Sequence, residues 1–170
     1  MFAMAASVCE EIETGPPAWR TLDLSIMPGI TAMLAAAAHA GAPLGHDFCA
    51  LSLSDNLKPW ELIERRLDAA AAAGFVIALY NPVSRARPWQ LSHAFALLGR
   101  KLPATVPVIF SRAVGRPDES LTVTTLETAG ETGADMATLI IIGSRETRVV
   151  PREGKTPLVY TPRAVSKVMA

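Results

Sequence analysis

Four short apolar runs constrain this chain more than anything else in it: FCALSL at 48–53, FVIALY at 75–80, VPVIFS at 106–111 and ATLIII at 137–142. Each has strand length, and a continuous apolar run suits a strand covered by helices on both faces. The stretches between them supply those helices. PWELIERRLDAAAAA opens on Pro59, where a first-turn position makes the missing N–H harmless. Trp60, Ile63 and Leu67 then recur at helical spacing, Glu61 stands four residues before Arg65, and Gly74 is placed to end the helix. A second helix starts near Pro88 and carries Trp89, Phe95 and Leu98 before Gly99. This alternation predicts an α/β fold with a mixed, mainly parallel sheet. SLTVTT at 120–125 alternates and predicts a half-exposed strand, with antiparallel pairing in the 120s and 130s. LDLSIM at 22–27 reads as one more strand. The tail from Pro151 holds three prolines and no period, and is expected to be extended or poorly ordered.

Composition narrows the function classes. Half of the residues are apolar and mean hydropathy is +0.28, so the chain can build a core. Sixteen basic residues balance sixteen acidic ones, which argues against a general nucleic-acid or membrane-surface binder. The Ala-rich AMLAAAAHA at 32–40 is too short to span a bilayer. MFAMAASVCEEIE has no basic start, and reads as an amphipathic helix rather than a signal peptide. Cys9 and Cys49 lack CxxC spacing, which predicts reduced, buried thiols in a cytoplasmic protein. Met1, Met4, Met27, Met33 and Met136 lie in apolar runs and read as core filling.

Ligands in open α/β sheets bind beyond the carboxyl ends of strands, and two loops there carry unusual residues. In MPGITA, Pro28-Gly29 turns the chain and Thr31-Ala32 opens the Ala-rich helix, whose free N–H groups would face a ligand. The plainer reading is that Thr31 caps that helix. In LYNPVSRARPW, Pro82 keeps Asn81 extended and holds its amide at the sheet edge. Alone, this stretch reads equally as an Asn-Pro turn. Arg85 and Arg87 follow it, and Arg112 and Arg116 leave the next apolar run in SRAVGRPDE. Solvated faces are the ordinary reading of such arginines; converging on one rim, they would receive a polycarboxylate or polyphosphate. His46-Asp47 is either a structural loop pair or a tuned imidazole. There is no GxGxxG, Walker loop, GxSxG or HExxH, and His39, His46 and Cys49 match no standard metal spacing.

Taken together, these stretches resemble a known family. PGITAMLAAAAHAGAPLGHDFCALSLSDNLKPWELIERRL, ALYNPVSRARPWQL and PVIFSRAVGRPDE, with VTTL and MATLIIIGS, are similar to the tetrapyrrole methylases of cobalamin synthesis. SLSDNLKPW and LYNPVSRARPW are the specific parts, and resemble its ring-contracting precorrin C17 branch. The resemblance implies two α/β domains with S-adenosylmethionine (SAM) between them, and a Gly-Gly-Asp-Pro loop in the first that this chain lacks. It implies that residues 1–29 are a remnant of the first domain, 30–150 the second domain, and 151–170 a tail. Thr31 and Ala32 would line the SAM site, Tyr80 and Asn81 would meet the adenosine, and Ala113 and Thr138 would present backbone to the adenine. Arg85, Arg87, Arg112 and Arg116 would face the carboxylates of the tetrapyrrole substrate precorrin-3B, and His46 is the candidate base. The resemblance further implies a cytoplasmic homodimer without a metal, and with neither nucleic acid nor membrane as a partner. A cobalt-containing substrate, or a non-catalytic binding module of the same fold, is the alternative.

Overall fold

The computed structural model describes residues 3–164 and divides into two compact units, one ending at Thr31 and one beginning at Ala32. In the first, α1 (Ala3–Thr14) is followed by a 3-10 turn (Pro17–Thr21). Val8 and Ile12 of α1 share an open groove with Trp19, Leu22 and Leu24, and no residue of α1 is fully buried. The expected strand over 22–27 does not form. Its alternation is real, but the described part of this unit holds no second strand to accept its hydrogen bonds, and Leu22, Leu24 and Ile26 stay exposed.

The second unit is built on a five-stranded sheet. In chain order its elements are α2 (Ala32–Ala40), β1 (Gly41–Ala42), β2 (Phe48–Ser52), α3 (Trp60–Ala72), β3 (Val76–Tyr80), α4 (Gln90–Leu98), β4 (Pro107–Arg112), β5 (Ser120–Thr125), β6 (Thr138–Ile142), β7 (Arg148–Arg152) and β8 (Lys155–Tyr160). The large sheet has the order β2-β3-β6-β4-β5. It is mixed, as expected, but only β2–β3 is a parallel pair; β3–β6, β6–β4 and β4–β5 are antiparallel. The expected mainly parallel pairing fails because β6 inserts between the like-directed β3 and β4 and must oppose both. Periodicity reveals a strand but not where it docks.

α3 and α4 cover one face, packing Ile63, Leu67, Phe95 and Leu98 against Leu79, Phe110, Ile140 and Ile142. α2 covers the other through Met33, Ala36 and Ala40 against Val76, Ala78, Ile109 and Ile141. α3 follows Pro59 and ends before Gly74, whose φ of 80° suits the left-handed position after a helix. β3, β4 and β6 are buried on both faces, whereas the edge strand β2 is only half-buried. β5 alternates between exposed and half-buried along its first residues.

The tail is not loose up to Tyr160. β7 and β8 form an antiparallel hairpin, and β8 adds β1 in parallel to make a three-stranded sheet. Prolines hide this pattern: Pro151 falls where the β7–β8 register shifts, between Val150 and Arg152. A buried hydroxyl cluster ties the hairpin down. Thr161 donates to the Pro43 carbonyl at 2.6 Å, its Oγ1 lies 2.8 Å from Thr147 Oγ1, and Thr147 Oγ1 accepts the Ser144 N–H at 2.8 Å. Two further expectations need correction. Met33 is buried, but Met4, Met27 and Met136 are exposed, and Met1 lies outside the described residues. Cys9 is exposed and Cys49 half-buried, with burial raising the Cys49 thiol pKa.

Candidate functional site

β2, β3 and β4 point the same way, so Ser52, Tyr80 and Arg112 end at one edge of the sheet, and β6 begins there with Thr138. The register makes the row explicit. Leu79 and Phe110 both pair with Ile140, and Arg112 pairs with Thr138, which brings Asn81 level with both. At this edge stand the two non-glycine residues with left-handed backbone among those described: Asn81 and Ala113, each at φ 51°. Asn81 is therefore not extended, as Pro82 had led one to expect; asparagine tolerates the left-handed region, but an alanine there costs about 1–2 kcal/mol. Two such residues, one at the end of each of two like-directed strands, form the kind of local strain that gathers at ligand sites.

Each turn is held by specific contacts. Asn81 Nδ2 donates to Ser52 Oγ at 2.9 Å, and Leu53 N–H donates to the Tyr80 carbonyl at 3.0 Å, binding the β2 and β3 ends together. Tyr80 Oη accepts the Met33 N–H at 3.1 Å, which fixes the first turn of α2 beside the end of β3. Beyond Asn81, Arg87 bonds Asp55 and Asn56 in the loop after β2. Desolvation pushes the Asp55 pKa up, but the hydrogen bonds led by Arg87 outweigh it, and the net shift is downward.

Ala113 is 8% exposed; its N–H donates to the Ala137 carbonyl at 3.0 Å, and its carbonyl accepts the Arg116 N–H at 3.0 Å. Gly115 N–H bonds Glu119 Oε2 at 2.8 Å. The Arg112 guanidinium spans two acids, Nε to Asp135 at 2.9 Å and Nη1 to Asp118 at 2.8 Å. Asp135 also accepts the Ala137 N–H at 2.9 Å and the Thr138 hydroxyl at 2.8 Å. Its pKa is lowered first by Thr138 and then by Arg112, while that of Asp118 is lowered first by Arg112. The Thr138 side chain and the Ala113 N–H are therefore already engaged. What they offer a ligand is shape and a carbonyl lone pair rather than a new donor.

The expected site residues divide accordingly. Tyr80, Asn81, Ala113 and Thr138 share the carboxyl edge, and Ala32 is the first residue of α2, next to the Met33 that Tyr80 holds. Thr31 is the residue before α2 and ends the first unit. Arg85 and Arg116 are exposed and hold no ion pair among the described residues. Arg87 and Arg112 are paired with acids rather than open to an anion. His46 is misplaced for a base at this edge. It precedes β2, and Val76 N–H at the start of β3 bonds the Asp47 carbonyl, so it sits at the opposite edge, beyond the roughly 13 Å that β2 spans from Phe48 to Ser52. The His46 ring instead accepts the Asp47 N–H at 2.7 Å, as a loop pair does. Sequence reading missed Ser52, Asp55, Asp118 and Asp135. The Asp55 signal lay inside SLSDNLKPW, but nothing linear pairs it with Arg87, thirty-two positions on.

Residues 3–130 match the family described as Tetrapyrrole (Corrin/Porphyrin) Methylases. A precorrin-3B C(17)-methyltransferase of Sinorhizobium sp is 67% identical over 163 residues, which cover 96% of this chain and 64% of that protein. A probable cobalt-factor III C(17)-methyltransferase of Salmonella typhimurium is 44% identical over 82% of this chain and 58% of its own length. The crystal structure of the methyltransferase CobJ superposes with a TM-score of 0.85 at 45% identity, covering 95% of this chain and 65% of that one. The chain thus spans somewhat less than two thirds of these relatives. With a family match across most of its length and a fold that agrees, the chain belongs to the tetrapyrrole methylases.

Proposed function

We propose that this chain is part of a SAM-dependent methyltransferase that acts on C17 of precorrin-3B, giving the ring-contracted precorrin-4. The observation that carries this reading is the 67% identity to the Sinorhizobium precorrin-3B C(17)-methyltransferase along 96% of the chain. The carboxyl edge supports this reading: left-handed turns end two like-directed strands there, and the head of α2 opens beside Tyr80. When bound, SAM supplies a methyl group already activated on a sulfonium. Catalysis therefore falls to positioning, with the nucleophilic carbon, methyl and sulfur held in line.

In this reading the Asn81 carboxamide, fixed through Nδ2 by Ser52, keeps Oδ1 as an acceptor for the adenosine. Tyr80, Ala113 and Thr138 supply the wall on which the adenine lies, and Thr31 and Ala32 line the other end of the donor. Arg85 and Arg116 receive substrate carboxylates; no residue at this edge is assigned as a base. Residues 1–29 belong to the N-terminal methylase domain and 30–150 to the C-terminal one, within a cytoplasmic homodimer. No helix among the described residues is long and apolar enough to cross a membrane. The Salmonella relative supports a second substrate, cobalt-factor III, on the same edge.

The test is incubation with methyl-labelled SAM and each tetrapyrrole in turn, with the product read by mass and carbon NMR. Label at C17 of a contracted ring from precorrin-3B is the expected result. Transfer only to cobalt-factor III selects the second substrate. Binding of both ligands without transfer makes the chain a non-catalytic module.

A further inference from the structure

Each of two arginines at the carboxyl edge bridges the loop carrying a left-handed residue to the loop of another strand. Arg87 joins the Asn81 loop to Asp55 and Asn56, and the Arg87 and Asp55 side chains are each only 24% exposed. Arg112, immediately before Ala113, joins Asp118 on its own loop to Asp135 on the loop that enters β6. Asp135 in turn holds the Ala137 N–H, and the Ala137 carbonyl accepts the Ala113 N–H. We propose that Arg87 and Arg112 are positioning residues for the methyl donor, clamping the left-handed turns at Asn81 and Ala113 against which its adenosine is set. This rests on the site reading given under the proposed function.

Charge argues against the other role for these arginines. The Arg112 guanidinium is already held by two carboxylates, so its charge is compensated and its donors are committed before any substrate carboxylate arrives. Arg87 with Asp55 is neutral. A clamp is also what the backbone needs. Ala113 is under strain at φ 51°, and the Asp135–Ala137 link fixes the residue whose carbonyl accepts its N–H, just where the β4–β6 ladder ends. Exposed ion pairs add little to global stability, so the effect is local: an ordered turn costs the ligand less to bind. Lysine would not serve, because only the planar guanidinium fork reaches two acids at once.

Arg112→Gln, Asp135→Asn and Arg87→Gln are compared with the unsubstituted chain by amide exchange at Ala113. Affinity for S-adenosylhomocysteine is measured by NMR titration into the millimolar range, with thermal unfolding as the control for folding. Arg112→Gln and Asp135→Asn should each speed Ala113 exchange about tenfold or more and weaken the ligand about three- to tenfold, the double variant being no worse than either single one. Arg87→Gln should weaken the ligand similarly without touching Ala113. Asp135→Asn keeps the side-chain shape, so it answers the question if Arg112→Gln unfolds. Unchanged Ala113 exchange overturns the clamp whatever the ligand does. Faster exchange with unchanged S-adenosylhomocysteine affinity overturns the positioning role, as does a loss confined to tetrapyrrole binding. If the unsubstituted chain binds no S-adenosylhomocysteine, it is the reading of the site that fails, and the exchange data alone decide the clamp.

Discussion

Replacing Ala113 by glycine tests the strain on which the site is built. The alanine methyl at φ 51° costs about 1–2 kcal/mol that glycine escapes. Against this, glycine adds about 0.5–1 kcal/mol of unfolded-state entropy, and loss of a nearly buried methyl costs about 0.8 kcal/mol more. The terms cancel to within about 1 kcal/mol, so Ala113→Gly is expected to be nearly neutral. Ala78→Gly is the control. Ala78 is fully buried in β3, with extended backbone and no strain to relieve, so the two costs add to about 1.3–1.8 kcal/mol. Urea unfolding followed by far-UV circular dichroism gives both values from midpoints at a common slope. Equal losses in the two variants would show that Ala113 is unstrained and that the left-handed pair is no feature of the site.

Three shorter predictions follow from other contacts. Thr161→Val removes the hydroxyl shared by the Pro43 carbonyl and Thr147, leaving buried groups unpaired; it should cost about 1–3 kcal/mol by urea unfolding, and no loss would mean the hairpin is held by packing alone. Arg85→Ala or Arg116→Ala should weaken tetrapyrrole binding by about 1.5–3 kcal/mol and leave S-adenosylhomocysteine affinity unchanged in calorimetry, whereas equal losses for both ligands would make these arginines structural. Because the folded-state pKa of Asp135 lies below its unfolded value near 3.9, its contribution is intact above that value and is lost only as pH falls through the lower, folded one. Ala113 and Ala137 amide shifts should therefore stay constant from about pH 8 to 5 and move only in stronger acid. A midpoint between pH 5 and 7 would assign the titration to another group.

The core was legible where burial dictates composition. The runs that became β3, β4 and β6 must be apolar on both faces, and the α3 and α4 stripes at Ile63, Leu67, Phe95 and Leu98 face them. What sequence could not show is which strand lies beside which. β6 is as apolar as its neighbours in either direction, so its antiparallel insertion leaves no local mark. The hairpin was hidden for a different reason, since prolines at 151 and 157 erase a period-2 pattern that pairing with β1 still sustains. At the site, Asn-Pro marked a turn but misdirected its geometry: proline biases the residue before it toward extended backbone, whereas Asn81 is left-handed at φ 51°. Ala113 carries no such sign: the partners of its turn, Asp135 and Ala137, lie more than twenty positions away. The arginines were visible as charges but not as pairs, and His46 looked eligible until the strand direction put it at the far edge.

The central claim is that the methyl donor lies on the carboxyl edge of the five-stranded sheet. Amide chemical-shift mapping of the labelled chain during titration with S-adenosylhomocysteine tests it directly, at weak affinity as well as strong. The account predicts shifts concentrated at Ala32–Met33, Tyr80–Asn81, Ala113–Arg116 and Ala137–Thr138, with Asn81→Ala abolishing most of them. Shifts centred instead on His46–Asp47 and Gly143–Thr147, at the opposite edge, would contradict it.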